Sequence, residues 1–113
     1  MNARIVMLAS ALLVLATGCG TMRSRQVNLR SPSSAKGPAA LYMDGQETSL
    51  TAPFEEVAIL QSDGTGRYSS PESVTDALRD RAGELGCDAV IKVRVAVDYS
   101  RTIGTGVCVR MLR

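Results

Sequence analysis

Between Pro71 and Tyr99 the hydrophobic period changes from that of a helix to that of a strand, with Gly86 at the change. Val74, Ala77, Leu78, Ala82 and Leu85 recur at i, i+3, i+4, i+8 and i+11, which draws one apolar stripe along a helix. Asp76, Arg79, Asp80 and Glu84 fall on the outer face. Ser70 is a natural N-cap and Pro71 suits the first helical position. Glu72 places a carboxylate near the positive end of the helix dipole. Gly86 suits the left-handed residue that ends a helix. The spacing therefore predicts a helix over Pro71–Leu85. From Ala89 onward, Ile91, Val93, Val95, Val97 and Tyr99 alternate with Lys92, Arg94, Ala96 and Asp98, the period of a half-buried strand. A single chain that switches period in this way must pack a helix against a sheet.

The flanking segments fill in the sheet. Val107, Val109 and Met111 share one phase over Thr105–Leu112, and Ser100–Gly104 is expected to turn between the two strands as a hairpin. Phe54–Gln61 is rich in branched residues and reads as a strand. Ser62–Ser70, with Gly64 and Gly66, reads as a loop. Leu41-Tyr42-Met43 reads as a short leading strand before an Asp44-Gly45 turn. The expected fold is α+β, one helix on a small, mostly antiparallel sheet in the order (β)-β-α-β-β. With one Phe and no Trp, its core must rest on Val, Ile, Leu and Ala.

The first 39 residues have a different character. Arg4 is followed by an apolar run, Ile5–Ala16, broken only by Ser10, and then by Ala16-Thr17-Gly18-Cys19. A charged start, a short apolar core and small residues describe a secretory signal peptide over 1–18. The run of about 12 residues falls well short of the ~20 needed to span a bilayer. The stretch ending in Cys19 resembles the bacterial lipobox. That resemblance implies cleavage between Gly18 and Cys19, a diacylglyceryl group on the Cys19 thiol, and acylation of the new amine. Gly20, where an Asp would resemble an inner-membrane retention signal, implies sorting to the outer membrane, facing the periplasm. Residues 20–39 are rich in Ser, Pro and Gly, carry Arg23, Arg25, Arg30 and Lys36 without an acid, and show no hydrophobic period. They read, from Cys19 to residue 39, as a flexible basic tether. Its charges either touch membrane phosphates or simply solvate a spacer. The remaining 40–113 form the folded domain, with eight basic and eleven acidic residues, a net of −3. That balance gives no reason to expect nucleic acid as a partner.

Four stretches together resemble a known group. They are Pro53-Phe54-Glu55-Glu56-Val57-Ala58-Ile59-Leu60, Ala77-Leu78-Arg79, Glu84-Leu85-Gly86-Cys87-Asp88-Ala89-Val90 and Gly106-Val107-Cys108-Val109. This pattern, over about residues 41–113, resembles small envelope-lipoprotein domains of the Rcs stress-sensor type. It also resembles uncharacterised lipoprotein families once labelled putative heavy-metal-binding. The resemblance implies an envelope interaction or sensing role. The Rcs-type sensor carries four cysteines in two disulfides, whereas only Cys87 and Cys108 follow Cys19 here.

The residues themselves supply little chemistry. The chain has no His, the commonest general base and transition-metal ligand. Two cysteines without Cys-x-x-Cys spacing make a poor zinc site, so no metal or other cofactor is expected. Gly64-Thr65-Gly66 and Gly104-Thr105-Gly106 lack the Gly-Lys-Ser/Thr of a phosphate loop. Glu55 and Glu56 are adjacent in a strand and point to opposite faces. The expectation is a protein without catalysis. If Val107 and Val109 face the helix, Cys108 faces away from it while Cys87 faces toward it, which argues against a Cys87–Cys108 disulfide. A bulge, or a bend at Asp88, reverses that conclusion. If Val95 pairs with Val109, Arg94 lies opposite Arg110 with Lys92 nearby. Either Glu56 or Asp98 neutralises this group, or Lys92, Arg94 and Arg110 form a face that docks an acidic or strand-presenting envelope protein. The alternative to that interaction role is a structural lipoprotein that forms a small homo-oligomer.

Overall fold

The computed structural model describes residues 20–112; the signal peptide, Cys19 and Arg113 lie outside them. The described residues form five strands and one α-helix: β1 (Met22–Asn28), β2 (Ala40–Met43), β3 (Phe54–Thr65), α1 (Pro71–Glu84), β4 (Ala89–Asp98) and β5 (Arg101–Met111). The strands form one sheet in the order β1-β3-β5-β4-β2, antiparallel throughout except for the parallel β2–β4 pair. The α+β class holds, with one strand more than expected.

The helix begins and ends as its sequence dictates. The Ser70 hydroxyl accepts the Ser73 N–H at 3.1 Å, and Pro71 follows as the first helical residue. At the other end Gly86 takes φ +77°. The Cys87 N–H then donates to the Ala82 carbonyl (2.9 Å) and the Gly86 N–H to the Gly83 carbonyl (3.0 Å), the paired bonds of a Schellman motif. Val74, Leu78 and Ala82 are buried against β3, β4 and β5, where Val57, Leu60, Val90 and Val93 complete the core. Arg79, expected on the outer face, instead turns inward and donates to the Ala39 carbonyl at 2.8 Å.

The expected flexible tether is largely ordered. Residues 22–28 pair with β3 along their whole length, from Met22 opposite Gly64 to Asn28 opposite Ala58. Only Met22 and Gln26 are half-buried, so backbone pairing rather than side-chain burial holds this edge strand, and no hydrophobic period announces it. Residues 29–39 then wrap the C-terminal end of α1. The Ser33 N–H donates to the Leu85 carbonyl (3.1 Å) and the Lys36 N–H to the Gly83 carbonyl (2.7 Å). The Leu85 carbonyl is one that a helix end leaves without an intrahelical partner, and the Gly83 carbonyl takes the Lys36 N–H in addition to that of Gly86. Lys36 also pairs with Asp88 at 2.7 Å. The strap thereby carries the chain from one edge of the sheet to the other.

Other expectations shift for physical reasons. Strand β3 runs on to Thr65, through the Ser62–Thr65 stretch expected to be loop. Small residues there leave room for the helix: Ser62 and Gly64 pair with Gly104 and Thr102, and all four are buried. Strand β5 starts at Arg101, and the turn shrinks to Tyr99-Ser100, with Tyr99 at φ +45°. In β4 a register shift lies between Ile91 and Arg94, and Lys92 takes φ +54°. This bulge places Val90 and Val93 on the helix side but Ile91 on the other side.

Candidate functional site

Helix α1 covers one face of the sheet. On the opposite face, segment 44–53 covers one end, where Leu50, Tyr42 and Phe54 pack on Ala89, Ile91 and Val109. The register aligns rows of residues across the uncovered remainder. Val27, Ile59, Val107 and Ile91 stand side by side on β1, β3, β5 and β4. The next row is Arg25, Gln61, Thr105 and Arg94, and the one beyond it is Arg23, Asp63, Ile103 and Ala96. The apolar row is buried at Ile91 but opens toward the β1 edge, where Ile59 is 47% and Val27 61% exposed. A shallow groove of about 320 Å³ lies there, with Arg25, Val27, Ile59, Gln61 and Thr105 among its walls. The outer edge of β1, unpaired among the described residues, borders it.

The expected basic face of Lys92, Arg94 and Arg110 does not form. Arg94 is opposite Thr105, not Arg110, because β4 slides along β5 until Ala89 meets Val109. Arg94 therefore shares the uncovered face with Thr105, whereas Arg110, two residues from the helix-facing Cys108, lies on the other face. The neutralising carboxylates are also different from those expected. Asp44 binds Arg94 (2.6 Å), and Glu55 binds Arg110 (2.8 Å at Nε) and Arg30 (3.2 Å). Lys92 is exposed at the bulge. Sequence reasoning missed the Val27–Ile59 pair because β1 was assigned to the tether.

Cys87 and Cys108 are joined in a disulfide, with Cα atoms 5.8 Å apart. The expectation against this pairing fails on strand phase. Gly104, Gly106 and Cys108 are the helix-facing residues of β5, while Val107 packs on the opposite cluster. Cys87 reaches the same side from the bend at Asp88 that precedes β4. Both sulfur-bearing side chains are buried, at 1% and 0% exposure, in the core beside Ala58, Leu78 and Val90.

A second cluster lies where the described chain begins. The Thr21 N–H donates to Thr65 Oγ1 at 3.0 Å, the Thr65 N–H donates to the Thr21 carbonyl at 2.8 Å, and the two hydroxyls lie 2.9 Å apart. Thr65 in turn pairs with Arg101, which pairs with Asp98. The Arg101 guanidinium binds Asp63 at 2.6 Å. The hydrogen bond and the charge of Asp63 raise its pKa above the ordinary value. Arg23 lines the adjoining groove with Thr21 and Arg25. Among the described residues, neither Arg23 nor Arg25 has an ion-pair partner, whereas Arg30 and Lys36 are paired within the fold. Also among the described residues, no three His, Cys, Asp or Glu side chains converge as metal ligands, and no helix is long and apolar enough to cross a membrane. No family model, curated protein or solved structure matches the chain.

Proposed function

We propose that the chain is a non-catalytic lipoprotein of the outer membrane, cleaved between Gly18 and Cys19 and lipidated on Cys19. In this reading it acts at the periplasmic surface as an interaction or sensing module. The observation that carries the interaction role is the exposed Val27–Ile59 pair beside the free β1 edge. A contiguous apolar patch rimmed by polar residues marks a contact surface. A bare strand edge offers main-chain hydrogen bonds to an extended segment, whose apolar side chains these two residues can receive. The partner is therefore a strand-presenting envelope protein.

Two further observations support the reading. A disulfide fits an oxidising compartment outside the cytoplasm. The absence of His, and the engagement of Glu55 by two arginines, leave little for proton transfer. The Rcs-type likeness remains part of the proposal, with one disulfide here in place of two. Because both cysteines are buried, this bond serves the core rather than thiol exchange at the surface.

The test is photo-crosslinking in cells from a probe replacing Ile59, with a second probe replacing the exposed Asp76 on the far side of α1. The expected result is an adduct with a distinct envelope protein from position 59 and none from position 76. An adduct of the chain with itself would replace this reading with a structural homo-oligomer joined at the β1 edge. Export without any adduct at position 59 would remove the patch as an interaction site.

A further inference from the structure

We infer that the end of the sheet where the chain enters the fold is a membrane-contacting surface, seated in the phospholipid headgroups. The inference rests on lipidation of Cys19. Gly20, the residue that follows, is already held in the fold. Gly20 packs so closely on Thr65 that a Cβ at its position would overlap the Thr65 carbonyl, and Thr21 is held by the bonds to Thr65 described above. From Cys19 to Thr21 the chain spans two residues, at most ~7 Å when fully extended. A lipid on Cys19 therefore holds the Thr65 end of the sheet against the headgroups, and no long linker intervenes.

That end carries groups suited to such a surface. The Tyr99-Ser100 turn lies there, because Arg101 pairs with Thr65, and Tyr99 is fully exposed at its tip. A tyrosine has an apolar ring and a polar hydroxyl, the combination enriched at membrane–water interfaces. Val97, two residues away, is also exposed. Arg67 stacks over Tyr68 at 4.8 Å in the turn that follows β3. The acids at this end are Asp63, Asp98 and Glu72. Asp63 is engaged by Arg101, and Asp98 lies opposite Arg101 in the ladder. Arg23, without an ion-pair partner among the described residues, is a cation available to lipid phosphates, with Arg25 one pleat further from the anchor. The seated orientation turns the Val27–Ile59 patch sideways, open to a partner from the periplasm.

The chain has no Trp, so Tyr99→Trp introduces a single tryptophan, which can be excited apart from the two remaining tyrosines. The full-length protein is extracted from membranes, its acylation read by intact mass, and reconstituted in vesicles of phosphatidylethanolamine and phosphatidylglycerol containing a lipid brominated near the headgroup. Leu112→Trp, exposed beyond the other end of β5, is the reference. The expected result is strong quenching and a blue-shifted emission at position 99, and neither at position 112. Adding Arg23→Gln to Tyr99→Trp should lower the ratio of seated to lifted protein about fivefold. Acylated protein with equal, weak quenching at both positions would overturn the seating and leave lipidation intact. Protein whose Cys19 carries no lipid would overturn both.

Discussion

Breaking the Cys87–Cys108 crosslink should lower the stability of the domain by about 3 kcal/mol. The bond closes a loop with a sequence separation of 21, and opening a loop of that size restores this much chain entropy to the unfolded state. A domain of this size has a total stability of roughly 5–14 kcal/mol, so the loss is a large fraction of it. It corresponds to a fall in melting temperature of about 10–20 °C. The Cys87→Ala/Cys108→Ala variant should show it in both thermal and denaturant unfolding. Reductant should produce a similar fall in the wild-type protein only once unfolding exposes the sulfurs, because both are buried. Oxidised wild-type protein should weigh two hydrogens less than the reduced chain. A mass equal to that of the reduced chain, with a midpoint unmoved by reductant, would rule out the crosslink.

The second large effect is expected at Gly104. Its position on β5 lies directly beneath α1, where a Cβ would overlap Val74 Cγ1 and approach Leu78 Cδ1 at 3.2 Å. Both side chains are fully buried, and the branched Val74 has one strongly preferred rotamer in a helix. Neither can move aside without lifting the helix. Gly104→Val should therefore cost at least the ~1–3 kcal/mol typical of overpacking. Gly37→Ala is the matched control, since nothing lies within 4 Å of a Cβ there. It should leave the denaturation midpoint nearly unchanged. Equal midpoints for the two variants would mean that the helix does not rest on β5 as described.

The same glycines explain why part of the fold was legible in the sequence and part was not. The helix was legible because its signals agree: an apolar stripe, a capping serine, a proline at the first position and a glycine past the end. The hairpin was legible as two apolar runs. Its facing was not, because on β5 the helix-side positions are Thr102, Gly104, Gly106 and Cys108, while the larger Val107 and Val109 pack on the opposite, partly covered face. Hydrophobicity along the strand points to the wrong side when the close approach of a helix demands small residues. The extra residue at Lys92 then shifts the phase of β4, and no residue pattern announces it. The facing of β5 is what argued against the disulfide, and the two-residue turn at Tyr99-Ser100, shorter than expected, is what moved Arg94 from Arg110 to Thr105. Strand β1 was hidden for a third reason. An edge strand held by its backbone has no need of an apolar alternation, and Arg23-Ser24-Arg25 reads as a spacer until its partner β3 is known. The candidate patch depends on Val27 and so became visible only with that pairing.

The central claim is that this domain is held to a membrane through Cys19, and the most direct test is the intact mass of the protein isolated from cell membranes. The account predicts a chain that begins at Cys19, carries a diacylglyceryl group and one further acyl chain, and lacks two hydrogens for the Cys87–Cys108 bond. It also predicts that Cys19→Ser removes the lipid mass and releases the protein from the membrane fraction. A chain that begins at Met1, or one cleaved but bearing an unmodified Cys19, would contradict it.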